Sequence, residues 1–298
     1  MRIAVTGTAG QVVTSLLERG EAQGHEVIAI GRPDLDLADP ASVARALEAA
    51  RLDVIVSAAA YTAVDKAESE SESDLAFAVN GAGAGAVAQA AKALGVPVIH
   101  ISTDYVFDGM LDRPYVESDP TGPTGVYGAS KLAGEQAVLA TYAENSAVLR
   151  VAWVYSPFGG NFVKTMLRLA GDRDEVSVVA DQVGNPTSAL AIADGIIQVA
   201  PNLVADGSPA LRGIFHMTAS GEASWADFAQ AIFAASAARG GPSASVRPIG
   251  TADYPTPATR PANSRLDCGK IARIHGVTLS DWRMSLDEVM GRLQPATN

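Results

Sequence analysis

Residues 2–13 read RIAVTGTAGQVV: a strand-like run from Arg2 to Thr6, a turn holding Gly7 and Gly10, and a helix-period segment that continues from Gln11 to Arg19. Consecutive apolar residues such as Ile3, Ala4 and Val5 lack polar alternation, so both faces of the strand must be covered, as in a parallel sheet. Working outward, the same unit recurs. Strands are expected at 26–30, 54–57, 96–102 and 146–151, separated by helices at 41–50, 74–94 and 127–142. Regular β-α alternation predicts an α/β fold with a doubly wound parallel sheet of the Rossmann type. After residue 151 the rhythm loosens. Helices are expected at 161–170, 188–199, 224–238, 268–274 and 285–293, strands at 176–179, 213–217 and 245–249, with 239–261 mostly loop. This part reads as a smaller C-terminal lobe set against the sheet, with a cleft between them.

Composition narrows the function classes. The 298 residues carry 22 Lys plus Arg against 33 Asp plus Glu, a formal net charge of −11, and 48% are hydrophobic. That supports a packed core, and the acidic balance argues against non-specific nucleic-acid binding and against docking on anionic membranes. The lone Cys268 cannot form an internal disulfide. His25, His100, His216 and His275 lack metal-ligand spacing and read as structural, and no metal is expected. With no signal-peptide pattern and no long apolar span, a cytoplasmic protein is the expectation.

The glycine turn at Gly7 and Gly10, with Gln11 and Val12 opening the helix, suits a pyrophosphate, because a helix N-terminus offers free N–H groups and the positive end of its dipole. The second strand ends at Arg32 with no carboxylate placed for a ribose 2′-hydroxyl. A guanidinium there suits a 2′-phosphate. NADPH is therefore the expected cofactor and NADH the alternative, with Asp36 and Leu37 near the adenine. The small residues Ala58, Ala59 and Ala60 after the third strand let a cofactor backbone lie close. Residues 1–151, rejoined by about 187–218, are expected to hold the dinucleotide, and 152–186 with 219–298 the substrate.

The sharpest signal is Tyr127-Gly-Ala-Ser-Lys131. Residues four apart share a helix face, and a neighbouring cation is expected to lower the phenol's pKa toward neutrality, which eases proton donation to an alkoxide. Thr103 sits where the fourth strand ends, at the sheet edge where such folds bind ligands. Asn80 reads equally as polarising a water or capping a turn. The acidic run Asp65–Asp74 reads as a solvated helix start.

Longer segments carry a resemblance: AAAYTAVDKAE (58–68), STDYVFDG (102–109), VYGASKLAGE (126–135), SVVADQVGNPTS (177–188) and YPTPATRPANSRLDC (254–268). On these the chain resembles the extended short-chain dehydrogenases/reductases and, more narrowly, the dTDP-4-dehydrorhamnose reductases. The resemblance implies hydride transfer from NADPH to C4 of dTDP-6-deoxy-L-lyxo-4-hexulose. It implies Tyr127 as proton donor, Lys131 at the nicotinamide ribose, Thr103 orienting the ketone, Thr62, Asp104 and Trp153 near the hexose, and Asn161, Gln182 and Arg260 toward the nucleotide. Val13 replaces a usual third glycine, and Gly125 stands where the family generally carries asparagine. Ser15 and Leu190 occupy the positions of acidic residues that bridge metal-linked dimers in some relatives, so no such bridge is expected, and monomer and homodimer both stay open. The rival readings are another nucleotide-sugar reductase or epimerase, and a non-catalytic NADP-binding regulatory subunit.

Overall fold

Two rows of apolar side chains, one on each face of a parallel sheet, organise the molecule. The computed structural model describes residues 1–294. Strands β1 (Arg2–Thr6), β2 (Glu26–Ile30), β3 (Val54–Ser57), β4 (Val98–Thr103) and β5 (Ser146–Val151) lie parallel in the order β2-β1-β3-β4-β5, and Gly213–His216 adds a sixth strand beside β5. Val5, Val56, Ile99 and Ala147 are register partners across four strands and belong to one buried cluster. Their neighbours Ala4, Ile55 and Val98 point the other way, into a second cluster. The period-2 geometry of strands makes both faces apolar at once.

The α-helices are α1 (Gln11–Ala22), α2 (Pro40–Glu48), α3 (Val64–Ala67), α4 (Glu70–Phe77), α5 (Gly83–Leu94), α6 (Val126–Tyr142), α7 (Phe162–Ala170), α8 (Ala189–Ala205), α9 (Trp225–Ala237), α10 (Gly269–His275) and α11 (Trp282–Leu293). Helices α1 and α8 cover the first face, while α2, α5 and α6 cover the second. No described helix is long and apolar enough to cross a membrane. The single helix expected over 74–94 is instead α4 and α5 joined by a π-helical turn at Ala78–Ala82. The widened turn contains Gly81 and sits where the Asn80 side chain is pinned to the Tyr61 backbone, a bulge of the kind that accommodates one extra residue.

A separate cluster holds α7, α9 and α11 together through Phe228, which meets Tyr155, Phe162 and Trp282 at ring-centroid distances of 5.2, 5.5 and 5.5 Å. Here Glu175–Val179 pairs in parallel with Ser245–Ile249. Ile271, Val277 and Leu279, late in the chain, pack instead on the first sheet face. Ser15 and Leu190 are fully buried.

Helix α6 is fixed to the sheet by two devices. Glu135 accepts two hydrogen bonds from Arg150 of β5, at 2.8 and 2.7 Å, and both side chains are 2% exposed. Two glycines allow close approach: a Cβ on Gly128 would lie 2.2 Å from the Tyr105 carbonyl oxygen, and one on Gly134 would lie 2.1 Å from that of Asn80. Removing one member of a buried ion pair leaves an uncompensated charge, whereas replacing both with apolar groups removes the penalty. Glu135→Ala should therefore lose about 3–5 kcal/mol of stability in urea unfolding. The double variant Glu135→Leu/Arg150→Met should lose clearly less, and equal losses would contradict this account.

Candidate functional site

The parallel sheet's connections reverse between β1 and β3, and a cavity of ≈ 1020 Å³ opens at the carboxyl ends of those strands, where open α/β sheets place their ligands. Gly7 takes φ +99°, a region that disfavours any side chain, and turns the chain from β1 toward α1. The N-cap of α1 is Gly10, whose lack of a side chain leaves the first-turn N–H groups uncapped. Thr6 Oγ1 accepts hydrogen bonds from the Ala58 and Ala59 N–H groups, both 3.0 Å, and so joins the loop after β3 to the glycine turn. Gly7, Gly10, Gln11, Val12, Arg32, Asp36, Leu37, Ala58, Ala59 and Ala60 all line this cavity. Unspent donors at a helix terminus, a small-residue wall and a guanidinium at the far edge fit a phosphorylated dinucleotide.

Thr62, Thr103, Asp104, Tyr127, Lys131 and Trp153 line the same cavity, and none of the four histidines does. Thr103 Oγ1 donates to Asp104 Oδ1 at 2.9 Å. The second oxygen of Asp104 is buried without a hydrogen-bond partner, as is the Ser102 hydroxyl. Burial pushes the Asp104 carboxyl up to about 6, against the nearby hydroxyls of Ser264 and Thr103, which favour its ionised form. Lys131 Nζ donates to the Ile101 carbonyl at 2.6 Å. Burial brings it down to about 8, partly opposed by the Glu135 charge.

Tyr127 departs from expectation. Its phenol is pushed up to about 12, first by burial and then by the Asp104 charge, with Thr103 pulling the other way. The depression expected from Lys131 is not seen, and burial and the Asp104 charge set the direction instead. The ring of Tyr105 meets that of Tyr127 edge-to-face at 5.5 Å.

Trp153 adopts φ +46°, the one non-glycine residue with positive φ among the described residues, a strain of roughly 1–3 kcal/mol. Its carbonyl accepts from Thr187 N at 3.1 Å, and its indole stacks on Trp225 at 3.5 Å and 7°. These contacts hold the strained turn so that both indoles line the cavity.

Three expected residues lie outside the lining. Asn161 caps α7 by accepting from Lys164 N, while its amide donates to Gln11, Ser156 and Phe158. Both ends of its amide are thus spent within the protein. Gln182 is 4% exposed and donates to Thr251. Arg260 pairs with Asp65 through two hydrogen bonds of 3.1 and 2.8 Å.

The acidic run starts two helices, as its charge suggests, with Asp65 in the first turn of α3 and Glu70 and Glu72 in that of α4, but three of its carboxylates also hold partners elsewhere. Besides Asp65, Glu72 accepts from the Tyr61 hydroxyl at 2.8 Å and Glu68 from Val126 N at 2.8 Å. Asn80 neither caps a turn nor faces a ligand. It binds both the N–H and the C=O of Tyr61 and donates to Ser130, which in turn donates to the Tyr127 carbonyl. That chain links a cavity wall to the helix bearing Tyr127 and Lys131. Asp65, Glu68, Trp225 and Tyr105 have partners far off in sequence, and local spacing carries no sign of them.

Comparison with known proteins gives one consistent result. A family model described as the RmlD substrate binding domain matches residues 1–294. The chain is 52% identical over 285 residues to a dTDP-4-dehydrorhamnose reductase of Sinorhizobium fredii, covering 96% of this chain and 95% of that protein. The crystal structure of a dTDP-4-dehydrorhamnose reductase from Clostridium acetobutylicum aligns with a TM-score of 0.90 at 36% identity, covering 99% of this chain and 100% of that one. A dTDP-4-dehydrorhamnose reductase from Bacillus anthracis, solved in complex with NADP, aligns with a TM-score of 0.87 at 34% identity, covering 97% and 98%.

The raised Asp104 carboxyl has a thermodynamic consequence. Its folded value of about 6 exceeds the unfolded one, so the folded chain holds the proton more tightly and its stability advantage fades as pH rises through 6. Relative to Asp104→Asn, the unliganded wild type should gain about 1 kcal/mol in unfolding free energy between pH 7 and pH 5. A difference that stays flat over that interval would show the carboxyl to be unperturbed.

Proposed function

The chain belongs to the family of dTDP-4-dehydrorhamnose reductases, and from that premise we propose that its main cavity carries out the NADPH-dependent reduction of the C4 ketone of dTDP-6-deoxy-L-lyxo-4-hexulose to dTDP-L-rhamnose. One observation carries the assignment: the uncapped turn at Gly7–Gly10 and the set Thr103, Tyr127 and Lys131 open into a single cavity.

The dinucleotide, when bound, supplies the hydride. Gly7, Gly10, Gln11 and Val12 would hold its pyrophosphate, with Arg32, Asp36 and Leu37 at the adenosine end and Ala58, Ala59 and Ala60 along its length. The Arg32 fork suits the 2′-phosphate that distinguishes NADPH from NADH. In the proposed division of the chain, residues 1–151 and about 187–218 serve the dinucleotide, and 152–186 with 219–298 serve the nucleotide sugar.

Tyr127 donates its phenol proton to the oxygen of the developing alkoxide. A phenol held near 12 is fully protonated at neutral pH, which reduction requires of its acid. Lys131, in the same cavity, would hold the nicotinamide ribose. Thr103, at the end of β4 in the same cavity, would orient the ketone. Thr62 and Trp153 would enclose the hexose. Arg260 is proposed to face the diphosphate, exchanging the Asp65 carboxylate for phosphate oxygens of similar fork geometry. Because both reagents, NADPH and an activated nucleotide sugar, are made inside cells, we place the reaction in the cytoplasm.

An assay on a panel of 4-keto sugar nucleotides tests this reading. Stoichiometric loss of NADPH absorbance with the dTDP-6-deoxy-4-hexulose is expected, and cofactor recycling without net oxidation would mark an epimerase instead. Tyr127→Phe should lower kcat by roughly 100-fold or more, the size of a lost general acid. Unchanged turnover in that variant would remove Tyr127 from its role.

A further inference from the structure

Helix α6 carries both Tyr127 and Lys131, yet nothing in its own sequence caps its N-terminus. The N-cap is Gly125, and the first turn contains no acidic residue. The backbone at Gly125 has φ −146° and ψ 168°, extended geometry that any residue adopts, so conformation does not call for glycine there. Glu68 Oε1 accepts the Val126 N–H at 2.8 Å across 58 positions of sequence, and a Cβ at position 125 would meet that same flexible carboxylate at 2.7 Å. The carboxylate therefore stands beside the N-cap and satisfies the first helical amide, an orphan donor that an N-cap side chain, which binds the second or third amide, leaves open.

We propose that Glu68 is a positioning residue of the reductase site, capping the catalytic helix from outside it. The bonded amide belongs to the residue immediately before Tyr127, so the cap sets where the helix begins relative to the phenol. The segment presenting Glu68 is itself anchored. Glu72 accepts from the Tyr61 hydroxyl and Asp65 from Ala258 N. The negative charge also lies at the positive end of the α6 dipole, the favourable arrangement. Loss of the cap leaves the phenol in place but less well aligned, and small misplacements of a catalytic group are costly to rate.

The activity part of the test rests on the function proposed above; the exchange part does not. In the full-length chain, Glu68→Ala should speed amide hydrogen exchange across residues 124–128 about fivefold, as expected for a lost N-cap. It should also lower kcat on the 4-keto sugar nucleotide about tenfold with the KM for NADPH unchanged. Glu68→Gln, which keeps an acceptor oxygen, should retain most of the rate. The double variant Glu68→Ala/Gly125→Asn should recover, since asparagine then caps in the ordinary way. Unchanged exchange in Glu68→Ala, or a double variant no better than Glu68→Ala, would overturn the proposal. If Glu68→Ala does not fold, folding of the double variant supports the cap and its failure to fold overturns it. A wild type that oxidises no NADPH with any 4-keto sugar nucleotide would sink the functional reading alone, with the exchange result still deciding the cap.

Discussion

The seating of one helix governs the rest of this structure. Helix α6 lies close enough to its neighbours that the carbonyls of Tyr105 and Asn80 occupy the space of two missing Cβ atoms, and its register is locked by a bidentate ion pair sealed from water. Glu135 stands one turn after Lys131, so the interaction that anchors the helix to β5 also sets the height at which the ammonium and the phenol enter the cavity. A buried ion pair is a poor source of net stability but a strict determinant of geometry, because any shift that lengthens it exposes an unpaired charge to a low-dielectric interior. The arrangement trades stability for position.

Around that helix the protein spends carboxylates rather than hydroxyls. The short helices after β3 send Asp65 to the second lobe, Glu68 to the start of α6 and Glu72 to the Tyr61 loop. Asn80, in its widened turn, closes the same circuit from the interior. In a chain of net charge −11, these carboxylates hold cavity walls and orphan donors in place. Asp104 is different in kind: one oxygen is engaged by Thr103 and the other is buried alone. Desolvation drives the site's ionisation, raising the carboxyl and the phenol and lowering the ammonium. Burial of each group is the largest cause of all three shifts.

Much of the architecture is written locally. The unbroken apolar strands, the glycine turn after the first of them and the Tyr-x-x-x-Lys spacing state their own structural context, since period and turn chemistry operate over a few residues. Every residue expected to cradle the dinucleotide lines the cavity, as do Thr62, Thr103, Asp104, Tyr127, Lys131 and Trp153. The second lobe was harder to read. Asn161, Gln182 and Arg260 are polar residues in recognisable segments, but whether a polar side chain faces a ligand or another protein group depends on partners as far as 195 positions away. The break in the helix at Ala78–Ala82 likewise answers to a loop on the far side of β3, which alanine-rich helix propensity cannot anticipate.

Sequence alone determined the α/β order of elements, the anion-binding turn and the pairing of phenol with ammonium on one helix face, because each is a matter of short-range covalent geometry and periodicity. The tertiary structure decided the electrostatics. Lys131 donates to the Ile101 carbonyl, burial and the Asp104 charge raise the Tyr127 phenol, and Glu68 reaches across the fold to an amide that its own helix leaves bare. Those outcomes turn on which groups are excluded from water together, and exclusion from water is a property of the packed molecule rather than of any segment.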